Sequence, residues 1–193
     1  QVTSTSASLG ARTAERASSV DGIRGQLYPY QSVGVAFLQL VADQGIGCVL
    51  GDAMGLGKTL QIIALLQAER NARRGPSLVI APATLLENWR RELGTFAPQL
   101  DVYVHAGPAR AGVAARLAVR DVTVVSYETA VRDEPLLADV RWNVIALDEA
   151  QNIKNPKSKA AQVCGSLKTR HRLCLTGTPM ENHLGELWSL FQF

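Results

Sequence analysis

Gly51-Asp52-Ala53-Met54-Gly55-Leu56-Gly57-Lys58-Thr59 is the stretch that decides the fold. The apolar run Ile46-Gly47-Cys48-Val49-Leu50 leads into it and reads as a buried strand. Lys58 to Arg74 leads out of it and reads as a helix that Gly75-Pro76 ends. A glycine-rich turn between a strand and a helix lets backbone N–H groups converge on phosphate oxygens. Lys58 is then placed to reach the β- and γ-phosphates of a nucleotide, and the Thr59 hydroxyl to hold Mg²⁺. The strict form of the pattern has glycine six positions before the lysine; here that position is Asp52.

The same alternation continues outward. Helical spacing of apolar residues runs from Tyr30 to Val41. Downstream, strands are expected at Leu78–Ile80, Val102–Val104, Val122–Val125, Val144–Leu147 and Leu173–Leu175. Helices are expected at Thr84–Leu93, with Thr84 and Glu87 as a capping box, at Ala109–Val119, and from Leu184 to Phe193. Continuous apolar strands alternating with helices predict an α/β domain, a mostly parallel sheet with helices on both faces. Ligands of such sheets bind at the carboxyl ends of the strands, so chemistry is expected there.

One of those ends reads Leu147-Asp148-Glu149-Ala150-Gln151. Two adjacent carboxylates after a buried strand are costly unless a cation or water uses them. Asp148 is the candidate Mg²⁺ carboxylate, and Glu149 the group that orients and deprotonates an attacking water.

Taken together, these segments are similar to those of Swi/Snf-type ATPases of helicase superfamily two. Asp52 to Thr59 resembles their Asp-Glu-Met-Gly-Leu-Gly-Lys-Thr, with Ala53 in place of the usual Glu. Asp148 to Gln151 resembles their Asp-Glu-Ala-His or Asp-Glu-Ala-Gln box, and Leu175-Thr176-Gly177-Thr178-Pro179-Met180-Glu181-Asn182 their third motif. Leu27-Tyr28-Pro29-Tyr30-Gln31 resembles the glutamine motif, and Leu78 to Trp89 the segment after the second strand. The resemblance covers about Gln26 to Phe193, and the Gln151 and Met180-Glu181-Asn182 variants look closer to bacterial members.

The resemblance implies a RecA-like P-loop NTPase lobe, ATP and Mg²⁺ as ligands, and double-stranded DNA as partner. It implies that Gln31 selects adenine, and that Asp52, Met54, Gly55, Leu56, Gly57, Lys58 and Thr59 hold the phosphates. Thr176, Gly177 and Thr178 would couple hydrolysis to lobe movement, with Gln151 linking them to the Mg²⁺ site. Pro82, Thr84, Ser126 and Tyr127 would lie near the DNA backbone. A second lobe carrying arginine fingers has no counterpart here, so the chain alone is expected to hydrolyse ATP barely. An RNA-directed or strand-separating helicase, or a non-hydrolysing binding module, remain the competing readings.

Composition sets the outer bounds. The 193 residues suit one domain, expected as a loose Ser/Thr-rich tail over 1–22 and an ATP-binding lobe over 23–193 that stops before the second lobe. Net charge +3 permits a nucleic-acid partner without demanding one. The basic stretch Asn152 to Lys159 offers Lys154 and Lys157 as phosphate contacts; Arg70, Arg73 and Arg74, and the run Lys168 to Arg172 ahead of the last strand, are weaker candidates. Cys48, Cys164 and Cys174 read as buried reduced thiols, with no zinc spacing. His105, His171 and His183 form no metal set, and Trp89 and Trp142 read as core aromatics. No apolar run is long enough to span a membrane. A monomer is expected, cytoplasmic for a bacterial-type protein and nuclear for a eukaryotic one.

Overall fold

The computed structural model describes residues 20–51, 57–108 and 110–177. The expected helix 184–193, most of the expected tail, and Asp52, Ala53, Met54, Gly55, Leu56 and Thr178 lie outside these residues.

The elements run α1 (Pro29–Asp43), β1 (Cys48–Leu50), α2 (Lys58–Asn71), β2 (Ser77–Ala81), a 3-10 turn (Ala83–Leu85), α3 (Leu86–Phe96), β3 (Val102–His105) and α4 (Ala115–Ala118). They continue as β4 (Val122–Ser126), α5 (Tyr127–Arg132), α6 (Glu134–Ala138), β5 (Trp142–Leu147), a 3-10 turn (Ala150–Ile153), α7 (Lys159–Ser166) and β6 (Thr169–Leu175). The six strands form one sheet in the order β1-β6-β5-β2-β4-β3. Every pair is parallel, so the carboxyl ends of all six lie along one edge.

Alternation along the strands builds two cores. Val79 and Ala81 of β2, Val144 and Ala146 of β5, and Leu173 and Leu175 of β6 face a cluster with Leu38, Ile62, Leu66, Trp89 and Leu93 from α1, α2 and α3. Leu78 and Ile80, Ile145 and Leu147, and Cys174 face the opposite cluster, with Leu117, Ala130, Leu137 and Cys164 from α4 to α7. Successive side chains point to opposite faces, so a sheet covered on both sides needs apolar residues at every position. β2, β4 and β5 are buried along their whole length.

Several local expectations are corrected. The second helix stops at Asn71 rather than Arg74, because Arg73 adopts a left-handed φ of 54° and Arg74 N–H returns to the Glu69 carbonyl at 3.0 Å. Thr84 does not cap the third helix: Ala83–Leu85 forms a 3-10 turn, and Glu87 instead pairs with Arg90 at 2.8 Å. The helix expected over 109–119 shortens to Ala115–Ala118. Before it, Arg110 is held by Asp133 at 2.8 Å and by the Gly107 carbonyl at 3.1 Å, while buried His105 takes up the same Asp133 at 2.8 Å. Lys159 opens α7, capped by Ser158, instead of extending a basic loop.

Most of the basic clusters are structural. Arg170, His171 and Arg172 lie inside β6. Arg170 reaches Glu69 at 3.3 Å and the Ala42 carbonyl at 2.7 Å; Arg172 donates to the carbonyls of Cys164, Gly165 and Leu167. Arg70 pairs with Asp121, and Arg74 with Glu69 and Asp43. Cys164 and Cys174 are buried free thiols, Cys48 only half-buried. Among the described residues no helix is long and apolar enough to cross a membrane.

Candidate functional site

The carboxyl edge of the sheet opens into a cleft of about 500 Å³. Gly57, Lys58 and Thr59 line it from the start of α2; Asp148 and Glu149 line it from the end of β5, and Gly177 from beyond β6. α3 closes a further wall with Asn88, Glu92 and Phe96. Residues more than a hundred positions apart thus share one cavity, because β1, β6 and β5 are neighbours in the sheet.

Lys58 is the first residue of α2, with Gly57 as a left-handed N-cap at φ 71° and ψ 36°. The helix N-terminus contributes backbone N–H groups and a positive dipole end, and Lys58 adds its ammonium group, so this wall suits an anion. A β-carbon on Gly57 would lie 2.3 Å from Gln31 Nε2. Gln31 is buried in the first turn of α1, where its Oε1 accepts the Tyr28 backbone N–H at 2.9 Å. Close to it in the chain, the rings of Tyr28 and Tyr30 stack 5.8 Å apart, both exposed.

Asp148 is held at three points. Its Oδ2 accepts the Trp89 indole N–H at 2.8 Å, its Oδ1 the Glu149 N–H at 3.0 Å, and its carbonyl the Tyr127 hydroxyl at 2.8 Å. Burial pushes its carboxyl above the ordinary range, while the Trp89 bond, the Glu149 N–H and nearby Lys58 pull the other way. A carboxylate whose charge is opposed by burial is one that a cation stabilises. With the Thr59 hydroxyl on the same cleft, the donors are hard oxygens, the set that Mg²⁺ takes, usually together with substrate phosphates.

Glu149 adopts φ 49° and ψ 54°, a left-handed conformation uncommon for a residue with a β-carbon. Its carbonyl accepts both the backbone N–H and the side-chain amide of Asn152, at 3.0 and 2.7 Å. Its Oε2 accepts the Gln151 amide at 2.6 Å, and Gln151 Oε1 accepts the Thr176 hydroxyl at 3.4 Å. The acidic box and the start of the third motif are therefore in direct contact through Gln151.

The segments expected to meet nucleic acid lie on the same edge. Pro82 and Thr84 follow β2, with Thr84 exposed. Ser126 caps α5 and is buried, and Tyr127 is buried with its hydroxyl committed to Asp148. The Tyr127 side chain is thus turned inward, a correction to its expected place on a DNA-facing surface. Lys154 and Lys157 are exposed beyond the acidic box. Sequence reading missed Glu92 as a cleft residue and Trp89 as a partner of Asp148. Trp89 stood inside a recognised motif, but nothing local says what an indole N–H will meet.

A family model described as the SNF2-related domain matches residues 30–193. Among curated proteins, the chain is 47% identical over 175 residues to the putative ATP-dependent helicase/translocase YwqA of Bacillus subtilis, covering 88% of this chain and 19% of that protein. It is 40% identical over 178 residues to the ISWI chromatin-remodeling complex ATPase ISW1 of Saccharomyces cerevisiae, covering 89% and 16%. The chain thus spans about a fifth or less of the length of these relatives. The Sulfolobus solfataricus SWI2/SNF2 ATPase core in complex with dsDNA superposes with a TM-score of 0.82 at 40% identity, over 88% of this chain and 36% of that one.

Proposed function

The chain belongs to the SNF2-related domain family, and on that premise we propose that it is the ATP-binding lobe of a protein that couples ATP hydrolysis to movement along double-stranded DNA. The observation that carries this reading is the meeting of Lys58, Thr59, Asp148 and Glu149 on one cleft, with Gln151 bonded to both Glu149 and Thr176.

In this reading the start of α2 receives the phosphates, Lys58 at the β- and γ-positions and Gln31 toward the adenine. Thr59 and Asp148 would hold Mg²⁺, which when bound offsets phosphate charge. Glu149, fixed by Gln151 and Asn152, orients water and accepts its proton. Thr176 senses that arrangement through Gln151 and passes it to whatever packs on the third motif. Phosphoryl transfer depends mainly on positioning and charge neutralisation, which suits a site whose carboxylates are held by several hydrogen bonds.

Sequence-independent movement requires contacts to phosphate rather than to bases. Pro82 and Thr84 beyond β2 and Lys154 and Lys157 beyond β5 would make those contacts, and the likeness to a core bound to dsDNA favours a duplex over RNA. Arginine fingers of a second lobe supply roughly 10³–10⁵ in rate, so residues 1–193 alone are expected to turn over ATP very slowly.

The test is steady-state ATP hydrolysis by the full-length protein with duplex DNA, single-stranded DNA, RNA or no nucleic acid. Duplex stimulation of at least tenfold supports the reading. Stimulation by RNA alone, or by nothing, overturns it.

A further inference from the structure

We infer that Trp89 and Tyr127 are positioning residues that tie the two segments expected to run along DNA to the carboxylate of Asp148. The inference rests on the proposed function for its DNA half, and on geometry alone for its Asp148 half.

Trp89 is 1% exposed, and its N–H meets Asp148 Oδ2 at 2.8 Å across 59 residues of sequence. It lies in the first turn of α3, directly after Pro82-Ala83-Thr84-Leu85. Tyr127 directly follows Ser126 and spends its hydroxyl on the Asp148 carbonyl. One aromatic donor from each segment therefore ends on the same residue, one on its side chain and one on its backbone.

Trp142 shows the alternative. It is equally buried, and its indole N–H goes to a backbone carbonyl, that of Leu137, at 2.9 Å. A buried indole needs an acceptor, but a carbonyl is enough. Trp89 instead grips a carboxylate that lines the cleft, while Glu149 N–H grips its other oxygen. Two donors on two oxygens fix the carboxylate plane. A shift of the Pro82–Leu85 segment would carry the indole with it and turn Asp148, which gives nucleic-acid contact a mechanical route to the metal-facing group. Groups that orient a ligand from behind commonly matter about 10–100-fold in metal affinity or activity.

The experiment compares W89F, Y127F and W142F in the full-length protein. The first readout, taken without DNA, is the Mg²⁺ concentration for half-maximal binding of a fluorescent ATP analogue. W89F is expected to raise it about tenfold or more, Y127F several-fold, and W142F less than twofold although it too loses a buried N–H bond. The second readout is the fold-stimulation of hydrolysis by duplex DNA at saturating Mg²⁺; it should fall in W89F and Y127F while duplex affinity stays constant. Equal Mg²⁺ shifts in W89F and W142F, or none in W89F, would overturn the Asp148 link. A wild-type protein that binds the analogue with Mg²⁺ yet ignores duplex DNA would overturn the DNA half and the proposed function, leaving the Asp148 link to the first readout. If W89F does not fold, Y127F, which deletes one hydroxyl, decides by the same two readouts.

Discussion

The Gln31 amide lies directly over Gly57, so that a β-carbon there would come within 2.3 Å of Nε2. Gln31 and Gly57, 26 positions apart by number, are thus packed against each other at the start of α2. Gly57 is further constrained by its φ of 71°, which costs a residue with a β-carbon about 1–2 kcal/mol. Gly57→Ala is expected to displace Gln31 and weaken binding of a fluorescent ATP analogue about tenfold or more. Gly75→Ala, whose added carbon meets nothing within 4 Å, should leave binding unchanged. Equal effects of the two would refute the packing argument.

Gln151 is bonded to Glu149 at 2.6 Å. Gln151→Glu places a second carboxylate against the first, and like charges so close disfavour the ionised form that the proposed role of Glu149 as general base requires. Turnover by the full-length protein should fall about 10–100-fold, with analogue affinity within about threefold of wild type. A matched loss of affinity and turnover would mean that Gln151 acts on binding instead.

At the amino edge of the sheet, far from the cleft, Glu69 is buried among Arg74 at 2.7 Å, Asn143 at 2.7 Å and Arg170 at 3.3 Å. Its loss leaves two guanidinium groups and an amide without their shared acceptor. Breaking a buried pair costs roughly 3–5 kcal/mol, and the partly exposed arginines, at 34% and 36%, place Glu69→Ala at about 3 kcal/mol. Urea denaturation should register that drop with no change in nucleotide binding of the remaining folded protein.

His171 is buried, and desolvation holds its imidazole below the ordinary pKa. The folded chain therefore carries it neutral, while the unfolded chain takes up a proton as pH falls through about 6.5. More protons bound in the unfolded state means that stability falls with falling pH, from about 6.5 down to the folded-state pKa. Denaturation midpoints of wild type and His171→Gln, followed from pH 8 to 5, should differ in slope across that window. Parallel profiles would contradict the assignment.

Whether a feature shows in the amino-acid sequence follows from the range of the interaction that makes it. The strand–turn–helix around Lys58 and Thr59, the strand ending in Asp148 and Glu149, and the alternation that makes a two-faced parallel sheet are all local patterns, and the sequence by itself determined them. Helices of six, five and eight residues, α5, α6 and α7, escaped notice because so few turns show little periodicity. The helix expected over 109–119 is confined to Ala115–Ala118, and Arg110 ahead of it is bonded to an aspartate 23 residues away. Tertiary structure alone decided that Trp89 would hold Asp148, that Tyr127 would turn inward, and that Arg170 would reach Glu69 across 101 residues rather than face a nucleic acid. Each depends on which strands become neighbours in the order β1-β6-β5-β2-β4-β3, and the energy of that choice is spread over two whole cores rather than written in any one segment.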